Sequence, residues 1–415
     1  MNRQATVLCC TLLATIALVT IVMIGCDSST EPNKGAYSVI TTYAGNGVQG
    51  AGIDGVSPRQ TPLYWPQDMA FGPDGRGYII DWNNYRIRVV ENDVIRTIIG
   101  SGNPVPDGES EAPSGVATEV DLNHPAHINF DPNGNIILSG FHSSAVFLYD
   151  FASNIISPVC GNGVRSYGGD GGPAIDAIVN LPVCSHYDSE GNLYIMDQAN
   201  QRLRLIDPAG VITTYCGTGT AGFSGDDGPP ALAQINLPVG QQAAPAGKFI
   251  ITPDDRIYIA DTKNQRIRMI EHNDTPIPGG MGVSHEGDII TTVAGGGSVY
   301  GEGVPATSAM LNNPNSVAVD PEGNLYISDT DNHVIRKVDT NGIITTFVGH
   351  PGQWCPRSTN CPPDGPNLSA SELGDGGNPR NAYLHFPAGI TFDADGNFYI
   401  ADRANNRIRV VLREP

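Results

Sequence analysis

Apolar and polar positions alternate over short runs along most of the chain, and no helical period fits them. The pattern is clearest in residues 313–349, NPNSVAVDPEGNLYISDTDNHVIRKVDTNGIITTFVG. Clusters of Gly, Asn, Asp and Pro divide this segment into four β-branched, apolar runs. Such runs are typical of β-strands that are separated by tight turns. The segment therefore predicts a four-stranded sheet in which successive strands alternate in direction.

The same unit recurs five more times along the chain. The position of Asp329 is occupied in the other copies by Asp81, Gly140, Asp197, Asp261 and Asp402, at intervals of 59, 57, 64, 68 and 73 residues. Self-similar units of four strands are the signature of a β-propeller. The repeats exceed the roughly 40–50 residues of common propeller repeats. The extra length lies mostly after the fourth strand, with a further insertion at residues 240–245.

The two ends of the chain complement each other. Residues 37–45, YSVITTYAG, match a fourth strand without the three that should precede it, and residues 386–411 hold three strands without a fourth. We therefore predict that the N-terminal strand completes the last blade, which hides both sheet edges. The predicted fold is an all-β, six-bladed β-propeller of four-stranded blades over residues 37–415.

A charged pattern repeats in the third strand. Arg86 and Arg88 alternate with apolar residues and share one face, so a buried guanidinium there needs a carboxylate. The Asp that ends strand two, here Asp81, is the nearest repeated candidate, and we interpret the pair as architectural. The second copy lacks the pattern, with Gly140 and Phe147 at two of its positions, which predicts a weaker or reshaped blade.

The motif D-x-x-N-x-R-I-R, which follows G-N-x-Y-I and precedes I-T-T-x-x-G, resembles the NHL repeat over residues 37–411. In that family the repeat is a building unit that binders, scaffolds and a few enzymes share. The six-bladed peptidyl-hydroxyglycine amidating lyases and regucalcin-type lactonases within the resemblance use a metal in the central channel. The resemblance thus implies the fold and leaves both binding and catalysis open.

The N-terminal segment resembles a bacterial lipoprotein signal. Residues 1–25 carry one charge, Arg3, before an apolar run, and Cys26 follows as the lipidation candidate, with residues 26–36 as a polar tether. The alternative is an uncleaved membrane anchor, because a run of about 20 apolar residues can span a bilayer. Both interpretations place the propeller outside the cytoplasm, anchored to a membrane of the cell envelope.

The chain is acidic, with 43 Asp and Glu against 23 Lys and Arg. This balance argues against nucleic acid as a partner and against electrostatic binding to anionic lipids. One acidic residue stands before Gly in each loop that follows a fourth strand: Asp54, Asp107, Asp170, Asp227, Glu302 and Asp375. These residues predict local turns, because the loops lack the alternating oxygen ligands of a calcium loop. A cation-binding face is the alternative.

The channel lining differs between copies, whereas the Asp and Arg positions are nearly constant. Strand alternation puts the long loops and the start of strand one on one face. Two residues after the Pro that opens strand one stand Asp68, His127, Cys184, Ser316 and Gly389, with Gly247 or Lys248 in copy four. We predict a ligand-binding site at the channel mouth on this loop-bearing face, formed by Asp68, His127, Cys184, His186 and Ser316.

Two interpretations of this mouth remain open. His127, His186 and Asp68 suit a divalent metal or a polar ligand. The alternative is that small polar residues fill a wet channel, because no H-E-x-x-H motif supports a metal. Among the cysteines, Cys355 and Cys361 are the disulfide candidates in an oxidising compartment, and Cys160 and Cys216 are expected to be small buried residues.

The sequence contains no G-x-S-x-G motif, P-loop, haem signature or C-x-x-C zinc pattern. It therefore favours a lipid-anchored binding or scaffold propeller, with no resident cofactor, that recognises a protein, peptide or glycan on its loop-bearing face. The alternative is a metal-dependent propeller enzyme of the lyase or lactonase type with its site in the central channel.

Overall fold

The structure is a computed structural model that describes residues 35–105, 112–240, 242–272, 275–276, 283–285, 287–353 and 368–414. The predicted signal segment, Cys26, Asp107 and the Cys355–Cys361 pair lie outside the described residues. No helix in the described part of the chain has both the length and the apolar character needed to cross a membrane.

The first half of the propeller consists of three antiparallel sheets that follow the N-terminal strand β1 (Tyr37–Ala44). Blade one contains β2 (Pro66–Phe71), β3 (Gly77–Asp81), β4 (Arg86–Glu91) and β5 (Val94–Ile99). Blade two contains β6 (Gly115–Val116), β7 (Pro125–Phe130), β8 (Ile136–Gly140), β9 (Ala145–Asp150) and β10 (Ile155–Cys160). Blade three contains β11 (Pro182–Tyr187), β12 (Leu193–Asp197), β13 (Arg202–Ile206) and β14 (Ile212–Cys216).

The second half repeats this arrangement. Blade four contains β15 (Phe249–Ile251), β16 (Ile257–Asp261), β17 (Arg266–Glu271), the two-stranded ribbon of β18 (Thr275–Pro276) and β19 (Val283–Ser284), and β20 (Ile289–Gly295). Blade five contains β21 (Val304–Pro305), β22 (Pro314–Val319), β23 (Leu325–Asp329), β24 (Val334–Val338) and β25 (Ile343–Val348). Blade six contains β26 (Pro387–Phe392), β27 (Phe398–Asp402), β28 (Arg407–Arg413) and β1.

The remaining regular structure consists of single 3-10 turns after the second strand or in the loops between blades. Their bounds are Trp82–Asn84, Ala174–Asp176, Gln198–Asn200, Pro230–Leu232, Thr262–Asn264, Ala306–Ser308, Thr330–Asn332, Pro379–Asn381 and Arg403–Asn405.

The structure confirms the all-β, six-bladed propeller of four-stranded blades. β1 lies antiparallel to β28, with Tyr37 opposite Arg413 and Ala44 opposite Ile408, which is the pairing that the sequence predicted. The hydrophobic core is divided into clusters between neighbouring blades, because the two faces of each sheet pack against the next sheets in the ring. One such cluster joins Tyr78 and Ile87 of blade one to Ile136 and Phe147 of blade two.

The paired charges of strand three are architectural, as predicted. Arg88 is fully buried, and its Nη1 lies 3.3 Å from Oδ2 of Asp81. Asn84 donates a further hydrogen bond to the same carboxylate oxygen, at 2.8 Å. The equivalent pairs are Arg204–Asp197 at 3.1 Å, Arg268–Asp261 at 3.4 Å and Arg409–Asp402 at 3.2 Å.

The acidic loop residues have a larger role than local turn formation. Asp54 lies 2.6 Å from the second Nη of Arg88 and accepts a hydrogen bond from the backbone N–H of Thr97 in β5. The equivalent contacts are Arg204–Asp170 at 2.5 Å, Arg268–Asp226 at 2.7 Å, Arg336–Glu302 at 3.6 Å, and Arg409–Asp375. These carboxylates neutralise buried guanidinium groups beside strands three and four, so they do not surround the channel.

One residue of the predicted acidic set, Asp227, differs from the others in its contacts. In blade four the carboxylate that reaches the buried Arg268 belongs to Asp226, not to Asp227. Asp227 accepts a hydrogen bond from the hydroxyl of Thr291 instead, at 3.1 Å. Two adjacent Asp residues cannot be told apart from spacing alone.

Blade two keeps the four strands of the repeat, β7 to β10, although it lacks the charged pair, and the two-residue strand β6 is added at its edge. Phe147 stands where the other blades have the buried Arg and is itself fully buried. A Cβ placed on Gly140 would lie 2.5 Å from the Phe147 ring, so the Gly makes room for the aromatic side chain. Apolar packing replaces the ion pair, and the strand order of this blade is unchanged.

Candidate functional site in the central channel

One residue of each blade contributes to a ring inside the channel, on the first strand. Asp68 pairs with Ile80 of the second strand, and His127 and Cys184 occupy the same register in blades two and three. In blade four Ala260 N–H donates to the carbonyl of Lys248, which places Lys248, not Gly247, in the ring. The complete ring is Asp68, His127, Cys184, Lys248, Ser316 and Gly389.

Asp68 and Lys248 form a buried ion pair across the ring. Nζ of Lys248 lies 3.0 Å from Oδ2 of Asp68 and donates to the carbonyl of Gln67 at 3.1 Å. The side chains are only 2% and 6% exposed. Burial raises the pKa of Asp68, while the Lys248 ammonium beside it acts in the opposite direction. Each charge therefore depends on the other for its solvation.

Two imidazoles lie next to this pair. The rings of His127 and His186 are 4.8 Å apart, and Nε2 of His127 lies 3.8 Å from Oδ2 of Asp68. Burial, with Lys248 nearby, lowers the pKa of His186 to about 3. Burial and the neighbouring His186 also hold the pKa of His127 well below its usual range. Both imidazoles are therefore neutral at pH 7.

The ring nitrogens differ in their hydrogen bonds. Nδ1 of His127 lies 3.3 Å from the backbone N–H of Ser185, which donates to it. Nδ1 of His186 lies 2.6 Å from Nδ2 of Asn129. Nε2 of His186 is buried and has no hydrogen-bond partner among the described residues. A buried polar atom without a partner is costly, so this nitrogen is a position where a ligand gains a hydrogen bond.

The thiol of Cys184 joins the imidazoles, whereas Asp68 does not. Ligand atoms of His127, Cys184 and His186 all lie within 4.8 Å of one another. The Sγ of Cys184 donates to the carbonyl of Phe249 at 3.2 Å, and burial raises the pKa of the thiol. The structure thus replaces the expected set of His127, His186 and Asp68 by His127, Cys184 and His186.

The ring residues lie inside the channel rather than at its mouth. Four of them, Asp68, His127, Lys248 and Ser316, border a cavity of about 280 Å³, which is also lined by the second half of each first strand, including Asn129 and Thr391. On the side of the long loops the neighbouring residues Gln67 and Asn315 are buried as well.

The cavity continues toward the face that carries the short turns. It shares Ile250, Ile251, Val319 and Phe392 with a groove of about 570 Å³ over blades four, five and six. Turn residues such as Pro253 and Arg256 border this groove. The two spaces adjoin, and together they have a polar base and apolar walls, which is the usual composition of a ligand site.

Some residues of this pocket were missed in the sequence. Asn129 stands two residues after His127 in β7 and faces the cavity, so the two-residue period of a strand was the available signal. His124 and His142, which are close to the ring in sequence, pair with each other at 3.0 Å beside Trp82. They are absent from the described cavity lining.

Known sequences show similarity to the same repeat. Residues 292–372 match the teneurin NHL domain family, and residues 384–411 match the NHL repeat family. Human teneurin-1 is 28% identical over 407 residues, and Drosophila melanogaster teneurin-m is 25% identical over 400 residues. Both alignments cover 90% of this chain but only 13% of the relative, so the chain corresponds to a small part of these proteins.

Solved structures show the same architecture. An auxiliary nutrient binding protein from Bacteroides thetaiotaomicron superposes with a TM-score of 0.59 at 15% identity, covering 91% of this chain and 77% of that chain. An auxiliary nutrient binding protein from Bacteroides ovatus gives a TM-score of 0.59 at 18% identity, covering 92% and 78%. At such identities the likeness concerns the fold alone. The chain is therefore a six-bladed β-propeller, and residues 384–411 within it match the NHL repeat.

Proposed function

We propose that this protein is a binding propeller of the cell envelope that recognises a peptide or glycan through its central pocket. The cavity receives one polar terminal unit of the ligand, and the adjoining groove on the short-turn face holds the units that follow. A cavity of about 280 Å³ suits one amino-acid side chain or one sugar, not a folded domain. The groove of about 570 Å³ provides the apolar walls for a longer chain.

The observation that carries this proposal is the unpaired Nε2 of His186 beside the buried Asp68–Lys248 pair. Because Nδ1 of His186 accepts from Nδ2 of Asn129, Nε2 carries the proton of the neutral imidazole. Together these groups offer an N–H donor, a carboxylate and an ammonium within one small cavity, which suits a ligand group with both donors and acceptors. The description of two proteins of the same fold as nutrient binding supports a binding role.

We also propose that a lipid anchors the propeller to a membrane outside the cytoplasm. Cys26, after the apolar segment of residues 5–25, carries the lipid and tethers the propeller to the membrane. Metabolic labelling with a fatty acid should tag the wild-type protein but not Cys26→Ser, whose precursor stays unprocessed. An unlabelled wild-type protein that retains residues 1–25 would support the uncleaved membrane anchor instead.

The binding site is tested with a glycan array and an immobilised peptide library as probes. Bound probes should be lost with His186→Gln and weakened by Arg256→Ala at the groove. Arg96→Ala is the matched control, because both Arg side chains are about half exposed and hold surface ion pairs with a Glu, namely Glu271 and Glu91. The control should bind like the wild type.

Ligand binding at a different surface of the propeller would contradict the proposed site. If Val239→Ala, an exposed substitution on the loop-bearing face, abolishes binding while His186→Gln does not, recognition takes place on that face. Failure of every glycan and peptide to bind would reject the proposed ligand class.

The second candidate function is metal-dependent catalysis in the same channel. It is favoured by the short distances between the ligand atoms of His127, Cys184 and His186. Nitrogen and sulfur ligands suit zinc, although Lys248 close by opposes a cation. Zinc bound at this site should disappear in Cys184→Ser and in His186→Gln. An unchanged number of zinc ions per chain in both variants, relative to the wild type, would reject this candidate.

A further inference from the structure

A second group of histidines and carboxylates lies away from the channel. His272 follows β17 of blade four, and His285 and Asp288 precede β20, so one connection between strands three and four supplies all of them. This connection is much longer than its equivalents in the other blades. Its ends meet Tyr215, which belongs to β14 of blade three. The group therefore sits where two blades adjoin, on the short-turn face.

The side chains converge on one carboxylate oxygen. Nδ1 of His272 lies 3.0 Å from Oδ2 of Asp288, and Nδ1 of His285 lies 3.2 Å from the same atom. The hydroxyl of Tyr215 donates to this oxygen at 2.5 Å. Asp288 is 2% exposed, and ligand atoms of the two histidines and the aspartate all lie within 4.8 Å of one another.

These distances are those of a metal coordination shell. Zinc bonds of about 2.0–2.2 Å to nitrogen and oxygen place the ligands of a tetrahedron about 3.3–3.5 Å apart. The two separations from Asp288 lie within a few tenths of an ångström of that value. We propose that His272, His285 and Asp288 bind a zinc ion.

The chemistry of the three residues agrees with this assignment. Two imidazoles and one carboxylate are a common protein ligand set for zinc, with a fourth position left for water. The hydroxyl of Tyr215 orients the carboxylate through its hydrogen bond, in the manner of outer residues that tune metal ligands. The bound ion joins the start and end of the β17–β20 connection and holds both ends against blade three.

The proposed zinc site and the proposed ligand pocket consist of different residues, so an experiment can reject one proposal without rejecting the other. Zinc is titrated into the purified, chelator-treated protein by calorimetry, in a His186→Gln background that removes one ligand of the channel group. One zinc ion should bind per chain. His285→Ala should weaken binding by about 100-fold or more, and Tyr215→Phe by about tenfold.

The matched control is His350→Ala, which removes a half-buried imidazole that stacks on Tyr383 in a different blade. This variant should bind zinc like its parent. Cobalt substitution should give the visible absorption of a tetrahedral site, and His285→Ala should abolish it. Absence of zinc binding by the parent, or binding that His285→Ala leaves unchanged, would show a metal-free network of hydrogen bonds to Asp288 and overturn the assignment.

Discussion

The carboxylate of Asp68 occupies the space that Gly389 leaves in the neighbouring blade. A Cβ placed on Gly389 would lie 1.9 Å from Oδ1 of Asp68. Asp68 of blade one can therefore occupy this position only because Gly389 of blade six has no side chain.

Gly389→Ala should consequently displace Asp68 from Lys248 and lower the free energy of unfolding by about 1–3 kcal/mol, as overpacking does. Chemical denaturation measures this change. Gly301→Ala is the control, because the nearest atoms to its added Cβ lie 3.6 Å away. Equal stability of the two variants would argue against the close approach.

Asp68→Ala should destabilise the protein strongly, because it leaves the Lys248 ammonium buried without a partner. The expected cost is about 3–5 kcal/mol in the free energy of unfolding. The double variant Asp68→Asn with Lys248→Met removes both charges and should recover most of that loss. A double variant as unstable as Asp68→Ala would mean that the two residues do not depend on each other.

The fold could be predicted from local chemistry, whereas the site could only be predicted in part. Turn residues and β-branched runs are local signals, so the four strands β22 to β25 lie within the segment of residues 313–349 that the pattern indicated. The ring positions followed from the repeat, except that the insertion at residues 240–245 left the register of Lys248 open.

How deeply the site is buried depends on tertiary packing, which the repeat pattern in the sequence does not predict. The side chains of Asp68, His127 and Lys248 are buried, and so are Gln67 and Asn315 beside the ring. The meeting of His272 with His285 and Asp288 depends on the path of one long connection, which periodicity does not describe. Only the folded chain shows such relationships.

Acid should destabilise the protein partly through His186. Its pKa is about 3 in the folded protein and near 6.5 in the unfolded chain, so the unfolded chain binds an extra proton between these values. Stability is therefore complete above pH 6.5 and falls as the pH decreases, by at most roughly 1.4 kcal/mol per pH unit for this group. His186→Gln should show a shallower decline in melting temperature between pH 6.5 and 4. An identical slope would assign the acid sensitivity to other groups.

Asp170→Asn should destabilise blade three without affecting cation binding. Asp170 contacts the buried Arg204 and accepts hydrogen bonds from Thr214 and Tyr167, both at 2.7 Å. Loss of its charge should cost about 1–3 kcal/mol. Asp176→Asn, an exposed substitution in the same loop, should be neutral. Stabilisation of the wild type by calcium that disappears in Asp170→Asn would support the cation-binding alternative.

Removal of β1 should weaken blade six. A chain that starts at residue 46 lacks the ladder with β28 and the buried side chain of Ile40. It should unfold with a loss of at least about 3 kcal/mol relative to a chain that starts at residue 35, which retains the strand. Equal melting temperatures for the two chains would show that the ring does not need this strand.

Because β1 pairs with β28, blade six can be completed only late in the synthesis of the chain. Tyr37 in β1 donates a hydrogen bond to the carbonyl of Gly396, 359 residues later in the chain. β1 is synthesised before every other strand of the propeller and finds its partner only after the last one has emerged. Throughout that interval its edge is open to other chains, and such long-range pairing is slow. A chain that ends before β28 would therefore leave β1, at the opposite end of the chain, without a partner strand.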